Sequence, residues 1–307
     1  MRTITVDLHT HLIEKRELPE RYWKAVGRRK IDAVAITEHA DKKPWKAYEM
    51  LLESKPKNAV LVPGMELNTS IGHVLAYGRD EGIYSLGALY DKGIPIEKLV
   101  SIAEKEKLLL SISHPWGLSY DSAAYILGEK KLQRLVEGGK IGVEVYNGMF
   151  GNVSGFFYRS NWVKKPFNFF DFLEKSRIAK KTRLSVIGKK VKQKLDKKSR
   201  EIIERCAKPI TLGQSAAFIT AGSDAHSATR VGSAIMKISV SGKLDGAKVL
   251  DALQKKENVA WVGPFVRETE GGFVTEGSRL EKKEIFQGIK YAAKRAIVKR
   301  MRIRKRH

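Results

Sequence analysis

Six of the seven histidines in the sequence lie at or beside the ends of predicted β-strands, and two acidic residues, Glu66 and Asp224, occupy similar positions. The histidines are His9, His11, His39, His73, His114 and His226. One histidine at a strand end is usually structural, but imidazole and carboxylate groups gathered in this number suit Zn, Mn or Fe. Because residues two apart share a face of an extended strand, His9 and His11 can reach one metal ion, as can Asp224 and His226. The pattern predicts a centre for divalent metal ions.

Seven short apolar segments predict the strands that would position these residues. They are Thr3–Val6, Ala33–Thr37, Val60–Met65, Val74–Tyr77, Leu108–Ser113, Gly142–Tyr146 and Phe218–Ala221. Helical patterns lie between most of them, at Pro19–Arg29, Ile96–Lys107 and Asp196–Lys208. Near-continuous apolar strands that alternate with helices favour a parallel α/β sheet. In a parallel barrel the carboxyl ends of the strands open onto one face, so we expect the polar residues to converge there.

Seven motifs in this order resemble those of the PHP (polymerase and histidinol phosphatase) superfamily. They are Asp7–His11 (DLHTH), Thr37–His39 (TEH), Pro63–Glu66 (PGME), Gly72–Leu75 (GHVL), Ser113–Pro115 (SHP), Glu144–Gly148 (EVYNG) and Gly222–Ser227 (GSDAHS). The resemblance covers most of residues 1–240, with an interruption near 150–200. It implies a distorted seven-stranded (β/α)7 TIM-like barrel, the PHP fold, which holds two or three divalent metal ions (Mn, Zn or Fe).

The resemblance also implies how the ligands are shared. The first metal would be held by His9, His11, Glu66 and Asp224, while Glu66 would bridge to a second, completed by His73 and His114. A third would be held by His39, His226 and an acidic residue that follows the His-x-His motif.

That acidic position is where the sequence departs from the family. The family commonly has Asp about five residues after the second histidine, but Arg16 stands there. Counting back from Pro19 indicates Glu14 instead, and Glu17 is the competitor. The family's Thr-Asp-His is also changed, because Glu38 replaces the aspartate and could orient a ligand.

The chemistry of such a centre is phosphoester hydrolysis. A hydroxide held between metals would attack phosphorus in line, and the metals would neutralise the developing charge. We assign catalytic roles to Glu66, His114, Asp224 and Arg230. The acid that protonates the leaving group could be His73, His114 or a water bound by arginine.

Three further side chains each have two interpretations. Arg230 either clamps the phosphate or is a surface residue at the start of a helix. Asn147 either positions a ligand or caps its strand. Trp116 either stacks on the substrate or packs in the core.

The composition indicates one large domain of 307 residues, 42% of them hydrophobic. Cys206 is the only cysteine, which excludes an internal disulfide and a cysteine-based zinc site. The sequence contains neither an apolar run of about 20 residues nor the apolar core of a signal peptide. We therefore expect a cytoplasmic protein without a transmembrane segment.

The net charge of +24 is concentrated in two segments. Residues 156–205 carry 16 Lys and Arg against 5 Asp and Glu, and residues 282–307 carry 11 against 1. We expect a barrel over residues 1–265 with a basic, aromatic-rich helical insertion at about 149–200. Residues 266–307 would form a linker and a basic C-terminal helix at Phe286–Arg306. The insertion and residues 282–306 could bind RNA or DNA, but they could equally be solvated faces or a helical cap.

Three functions are consistent with these patterns. The first is hydrolysis of a nucleotide or nucleic-acid phosphoester, which the charge favours. The second is a phosphomonoesterase for a small metabolite, histidinol phosphate included, which leaves the charge unexplained. The third is a nucleic-acid-binding protein with an inactive barrel, which the nearly full ligand set disfavours.

Overall fold

A computed structural model describes residues 1–14, 16–152, 168–170, 172–173, 175, 184–256, 259–262, 266–269 and 272–275. The strands are β1 (Arg2–Thr10), β2 (Ala33–Ile36), β3 (Val60–Thr69), β4 (Gly72–Tyr77), β5 (Leu109–Ile112), β6 (Gly142–Asn147), β7 (Ile219–Gly222), β8 (Ile235–Val240), β9 (Ala260–Val262), β10 (Val266–Thr269) and β11 (Gly272–Thr275). The α-helices are α1 (Pro19–Arg28), α2 (Pro44–Glu53), α3 (Ile96–Glu106), α4 (Ala123–Ile126), α5 (Glu129–Glu137), α6 (Leu184–Gly213) and α7 (Gly246–Gln254).

The seven predicted strands correspond to β1–β7, but the sheet has nine strands and is mixed. Its order is β7-β6-β5-β4-β3-β2-β1-β8-β9, and β4 runs antiparallel to both β3 and β5. The expectation of a parallel sheet was therefore wrong at β4. Only two residues, Ser70 and Ile71, separate β3 from β4, whereas a parallel crossover needs about a dozen.

The reversal of β4 brings its first residues to the same end of the sheet as the carboxyl ends of its neighbours. Gly72, which begins β4, has φ of +105°, and a Cβ there would lie 2.3 Å from the backbone oxygen of Asp121. The next residue, His73, donates its backbone N–H to that oxygen at 2.7 Å. Glycine at this position thus allows the loop after β5 to approach the start of β4.

The sheet curls until β7 meets β1 and forms a nearly closed barrel. Beyond β7, the N–H of Asp224 donates to the carbonyl of His9 at 2.7 Å, and the N–H of His11 donates to the carbonyl of Ala225 at 2.9 Å. A Cβ on Gly222 would lie 2.3 Å from Cβ of His9. The two strands can therefore close only if residue 222 lacks a side chain.

The strand β8 was missed in the sequence. Its residues, IMKISV, alternate between buried and more exposed positions, and β8 pairs antiparallel with β1, with Ile4 opposite Ile238. Such alternation is the usual pattern of a strand covered on one face. Residues from both strands, including Ile4, Val6, Met236 and Ile238, belong to one buried apolar cluster with α7.

The predicted helices at Pro19–Arg29 and Ile96–Lys107 correspond to α1 and α3, and the one at Asp196–Lys208 lies within the longer α6. The end of α6 is packed, because Leu212 is 3% exposed and belongs to a buried apolar cluster. At its other end Val186 and Ile187 are about half exposed. The C-terminal helix predicted at Phe286–Arg306 lies outside the described residues, as do residues 153–167 and 176–183 of the insertion. None of the described helices has the length and apolar character needed to cross a bilayer.

Candidate metal centre

Nine side chains meet at the mouth of the barrel and form what we call the cluster. They are His9, His11, Glu14, His39, Glu66, His73, His114, Asp224 and His226, and hydrogen bonds or ion-pair distances join them. All nine had been named from the sequence as candidate metal ligands. They converge because each belongs to, or closely follows, the mouth end of a strand.

The deepest part of the cluster consists of His9, His11, Glu66 and Asp224, all fully or almost fully buried. Nε2 of His9 lies 3.2 Å from Nε2 of His11. Asp224 Oδ1 lies 3.6 Å from the His9 nitrogen and 3.4 Å from that of His11. Glu66 lies 3.7 Å from the first and 3.6 Å from the second. Ligands of a tetrahedral zinc ion at about 2.0–2.1 Å are roughly 3.3 Å apart, so these donors are spaced to share one ion.

The Glu66 carboxylate joins this deep group to two further histidines. Its Oε1 atom lies 3.0 Å from Nδ1 of His73 and 3.1 Å from Nε2 of His114. Ser113 donates its hydroxyl to the same oxygen at 3.0 Å. The other oxygen, Oε2, lies 3.1 Å from Nδ1 of His39. Glu66 is thus placed between several groups of nitrogen donors, as a bridging ligand would be.

The outer part of the cluster consists of Glu14, His39 and His226. Glu14 Oε2 lies 2.6 Å from Nε2 of His226 and 3.7 Å from Nε2 of His39. Glu17, the competing candidate, instead accepts the backbone N–H of Ala228 at 2.8 Å. Of the two acidic residues, the structure places Glu14 beside the histidines.

Two carboxylates outside the ligand set hold the histidines in place. Glu144 Oε1 lies 2.9 Å from Nδ1 of His9, and its Oε2 accepts the backbone N–H of His114 at 2.7 Å. Glu38 lies 3.4 Å from Nδ1 of His11 and accepts the backbone N–H groups of Leu12 and Ile13. Such contacts fix ring orientation and leave each Nε2 directed into the cluster.

The charges of the cluster shift the pKa values of its members strongly. Burial alone would lower the pKa of His11, but hydrogen bonds to Asp224 and Glu38 raise it to about 10. In the same way Glu66 outweighs burial and raises the pKa of His114 to about 9. Burial opposes ionisation of Glu66, yet the surrounding histidines hold its pKa well below the usual range. The site therefore stabilises anionic carboxylates and attracts positive charge.

Two predicted ligands have backbone conformations that side chains other than glycine rarely adopt. His114 has φ of +29° and Asp224 has φ of +50°. Such residues cost about 1–3 kcal/mol each and persist where the surrounding structure holds them. Asp224 is held by the bond from its N–H to His9, and His114 by the bond from its N–H to Glu144.

The residues present fit divalent metal ions. Three groups, His11 with His39 and His226, His9 with His11 and Glu66, and His39 with Glu66 and His73, each offer ligand atoms within 4.8 Å of one another. Nδ1 of His73 is buried and has no hydrogen-bond partner among the described residues, although it lies 3.0 Å from Glu66. A metal ion beside Glu66 would satisfy this nitrogen, since buried polar atoms are otherwise paired.

The other candidates have different surroundings. Trp116 is 8% exposed and donates its indole N–H to Glu129, so it packs in the core. Asn147 donates to the carboxylates of Glu144 and Asp224 and accepts the backbone N–H of Met149. It therefore both contacts a predicted ligand and caps its strand. Arg230 is half-buried. The pKa of Arg29 is lowered mainly by burial, and the positive charges of Arg28 and Arg230 lower it further. Its role as a phosphate clamp stays a prediction.

Sequence reasoning gave no role to Glu144, Ser113 or Asp7. Glu144 could have been found, because an acidic residue within the apolar strand Gly142–Asn147 must have a partner. Asp7 ties β1 to the chain after β7 through the N–H groups of Ser223 and Gly232. Burial raises the pKa of Asp7 to about 6. Its carboxylate also accepts the backbone N–H of His9 at 3.4 Å, and this role in joining backbone segments could not have been read from the sequence.

Comparison with known proteins places this geometry in context. A family described as PHP_C, PHP-associated, matches residues 218–258. The crystal structure of PsfC from Pseudomonas syringae PB-5123 is similar with a TM-score of 0.50 and 17% identity, over 85% of this chain and 92% of that one. The lesion-specific endonuclease PfuEndoQ from Pyrococcus furiosus gives a TM-score of 0.44 and 12% identity, over 85% of this chain and 58% of that one. Among curated proteins, none matches the sequence. At 17% identity the likeness to PsfC concerns the fold.

Proposed function

We propose that the chain is a metal-dependent phosphoesterase of the PHP superfamily, to which the family match at residues 218–258 points, and that its centre is the cluster at the mouth of the barrel. The observation that carries the proposal is that Nε2 of His9 and Nε2 of His11 lie 3.2 Å apart and that the carboxylates of Glu66 and Asp224 each lie 3.4–3.7 Å from these two nitrogens. A structural role does not require four donors directed at one point in a buried position.

The divalent metal ions, when bound, would supply a nucleophilic water of lowered pKa and would neutralise charge on the phosphate. The protein would bind them through the nine residues of the cluster, with Glu66 shared between them. Glu38 and Glu144 would hold the rings of His11 and His9 in one orientation. This preorganisation favours the transition state, because the donors need not move as charge develops.

Exposure indicates the side from which a substrate would approach. The side chains of His9 and His11 are 0% exposed, whereas those of His39 and His226 are 24% exposed and that of His73 is 18% exposed. A phosphate would therefore meet the outer histidines first. Of the candidates for the leaving-group acid, His114 and His73 lie close enough to Glu66 to act on a group bound there.

The proposed substrate is a nucleotide or nucleic acid. The support is the charge of +24, most of it in residues 156–205 and 282–307, because concentrated positive charge attracts polyanions. Hydrolysis of a small phosphomonoester is the alternative, and it makes no use of this charge.

The proposal is tested by product analysis. Metal-stripped protein, resupplied with Mn²⁺, is given a short 5′-phosphorylated RNA, and the products are identified by mass spectrometry, with Asp224→Asn as the control. Metal-dependent shortening of the RNA supports a nuclease. Loss of only the terminal phosphate supports a monoesterase. If the RNA is unchanged with every divalent metal tried, and a phosphomonoester is also untouched, the catalytic proposal fails.

A further inference from the structure

The segment after β5, which includes α4, carries two exposed aromatic residues close to the cluster. Tyr120 is 62% exposed and Tyr125 is 40% exposed. Between them, the backbone oxygen of Asp121 accepts the N–H of His73 at 2.7 Å, and Oγ of Ser122 lies 3.4 Å from Nδ1 of His114. Both tyrosines thus lie within three residues of atoms that touch predicted metal ligands. Exposed tyrosines beside a polar centre are surfaces on which a base can stack.

An arginine from α6 lies against one of these rings. Cζ of Arg205 is 5.5 Å from the ring centroid of Tyr125. Arg205 also lines a narrow cavity together with His114, Asn147 and Phe150. Among the described residues, Arg205 has no carboxylate within ion-pair distance. An arginine in this position, with no carboxylate partner in the described part of the chain, is suited to bind a phosphate.

The neighbouring lysine on the same helix has a different environment. Nζ of Lys208 lies 2.6 Å from Oε1 of Glu129, so its charge is already neutralised. Glu129 also accepts the indole N–H of Trp116, and Lys208 lies over the ring of Trp116. Because the side chains of Lys208 and Glu129 are 43% and 60% exposed, this surface pair contributes little to the position of α6.

We propose that Arg205 and Tyr125 form a nucleotide-binding subsite beside the metal centre, for single-stranded nucleic acid. Arg205 holds a phosphate of the strand, and the exposed part of the Tyr125 ring stacks on a base. The proposal rests on the proposed function for its substrate class, and it adds the residues that recognise a nucleotide next to the reacting phosphate.

Binding to metal-stripped full-length protein tests the subsite without catalysis. The probes are a fluorescein-labelled dT12 and an abasic phosphodiester strand of the same length, followed by fluorescence anisotropy. Arg205→Gln should weaken both probes by about tenfold and make the slope of log K against log salt less steep by ~0.7, as expected for one lost phosphate contact on a single strand. Tyr125→Ala should weaken dT12 about tenfold and the abasic strand little, and Tyr125→Phe should restore dT12 binding.

Lys208→Gln is the matched control, because it removes the same charge from the same helix at a residue that is already paired. It should leave both affinities within about twofold of the wild-type values, since paired surface charges contribute little. Equal effects of Arg205→Gln and Lys208→Gln would overturn the subsite in favour of general charge attraction. Wild-type binding by both Arg205→Gln and Tyr125→Ala would overturn it as well.

A parallel hydrolysis assay with Mn²⁺ separates this inference from the proposed function. Loss of binding in the variants, with no metal-dependent cleavage by the wild-type protein, would uphold the subsite and reject the phosphoesterase. Metal-dependent cleavage by the wild-type protein, with unchanged binding and unchanged KM in the variants, would reject the subsite and leave the phosphoesterase in place.

Discussion

Nε2 of His9 and Nε2 of His11 face each other across 3.2 Å in a fully buried site. Two imidazole nitrogens at this distance repel each other unless a positive group lies between them or one of them carries a proton. Their Nδ1 atoms are already directed to Glu144 and Glu38. The strands thus bring two ring nitrogens together in a region where carboxylates attract cations, which is the arrangement that a metal ion stabilises.

The first prediction concerns Glu66, which contacts both the deep and the outer histidines. Glu66→Gln should lower the metal content by at least one ion per chain, as measured by inductively coupled plasma mass spectrometry. The rate of metal-dependent hydrolysis should fall by more than ~10–100-fold, which is the usual loss when a residue that only orients a metal ligand is removed. Glu97→Gln, at an exposed position on α3, should leave both unchanged. Full metal content in Glu66→Gln would contradict the bridging assignment.

The second prediction compares two neighbouring acidic residues. Glu14→Gln should remove about one metal ion per chain, because Glu14 lies beside His226 and His39. Glu17→Gln should keep the full metal content, since the Glu17 carboxylate accepts the backbone N–H groups of Leu18 and Ala228. Titration of the metal-stripped variants with Mn²⁺, followed by calorimetry, gives the two stoichiometries. Equal stoichiometries would remove Glu14 from the outer site.

The convergence of the predicted ligands could be foreseen from the sequence because strand ends are marked by an abrupt change from apolar to polar residues. This signal requires no knowledge of how strands pair, so the positions of His9, His114 and Asp224 followed from it. The direction of β4 depends on the two-residue connection Ser70–Ile71. Because helices separate most of the other strands, the sequence pattern favoured a parallel sheet throughout.

The choice between Glu14 and Glu17 depends on one turn that the sequence does not specify. The N–H of Arg16 bonds to the carbonyl of Ile13, and Arg16 has φ of +53°. This left-handed residue reverses the chain, so that Glu14 and Glu17 are directed to different partners. Arginine has no special preference for such a conformation, and local propensity therefore could not indicate it.

The third prediction concerns protons. The pKa of His11 is raised to about 10 and that of His114 to about 9, so both rings are protonated at pH 8 in the metal-stripped protein. A metal ligand must be neutral imidazole, so metal binding has to release these protons, and the apparent affinity should increase as the pH rises towards 9–10. Calorimetry of Mn²⁺ binding at pH 8, in buffers of different ionisation enthalpy, measures the number released.

An ordinary histidine, with a pKa of about 6.5, would release almost no proton at pH 8. Binding enthalpies that do not depend on the buffer would therefore contradict the raised pKa values. Glu38→Gln provides a further comparison, because it removes one of the two carboxylates that raise the pKa of His11. It should reduce proton release at pH 8.

The fourth prediction concerns barrel closure at Gly222. A Cβ there would lie 2.3 Å from Cβ and 2.4 Å from the backbone nitrogen of His9, so Gly222→Ala must push β7 away from β1. We expect it to cost at least about 1–3 kcal/mol of unfolding free energy and to lower metal affinity, since His9 moves with its strand. Gly27→Ala is the control, because a Cβ at Gly27 in α1 meets nothing within 4 Å and should stabilise the helix by about 0.5–1 kcal/mol. Thermal unfolding and Mn²⁺ titration of both variants give the unfolding free energy and the metal affinity. If both are unchanged in Gly222→Ala, the barrel closure tolerates a side chain at residue 222.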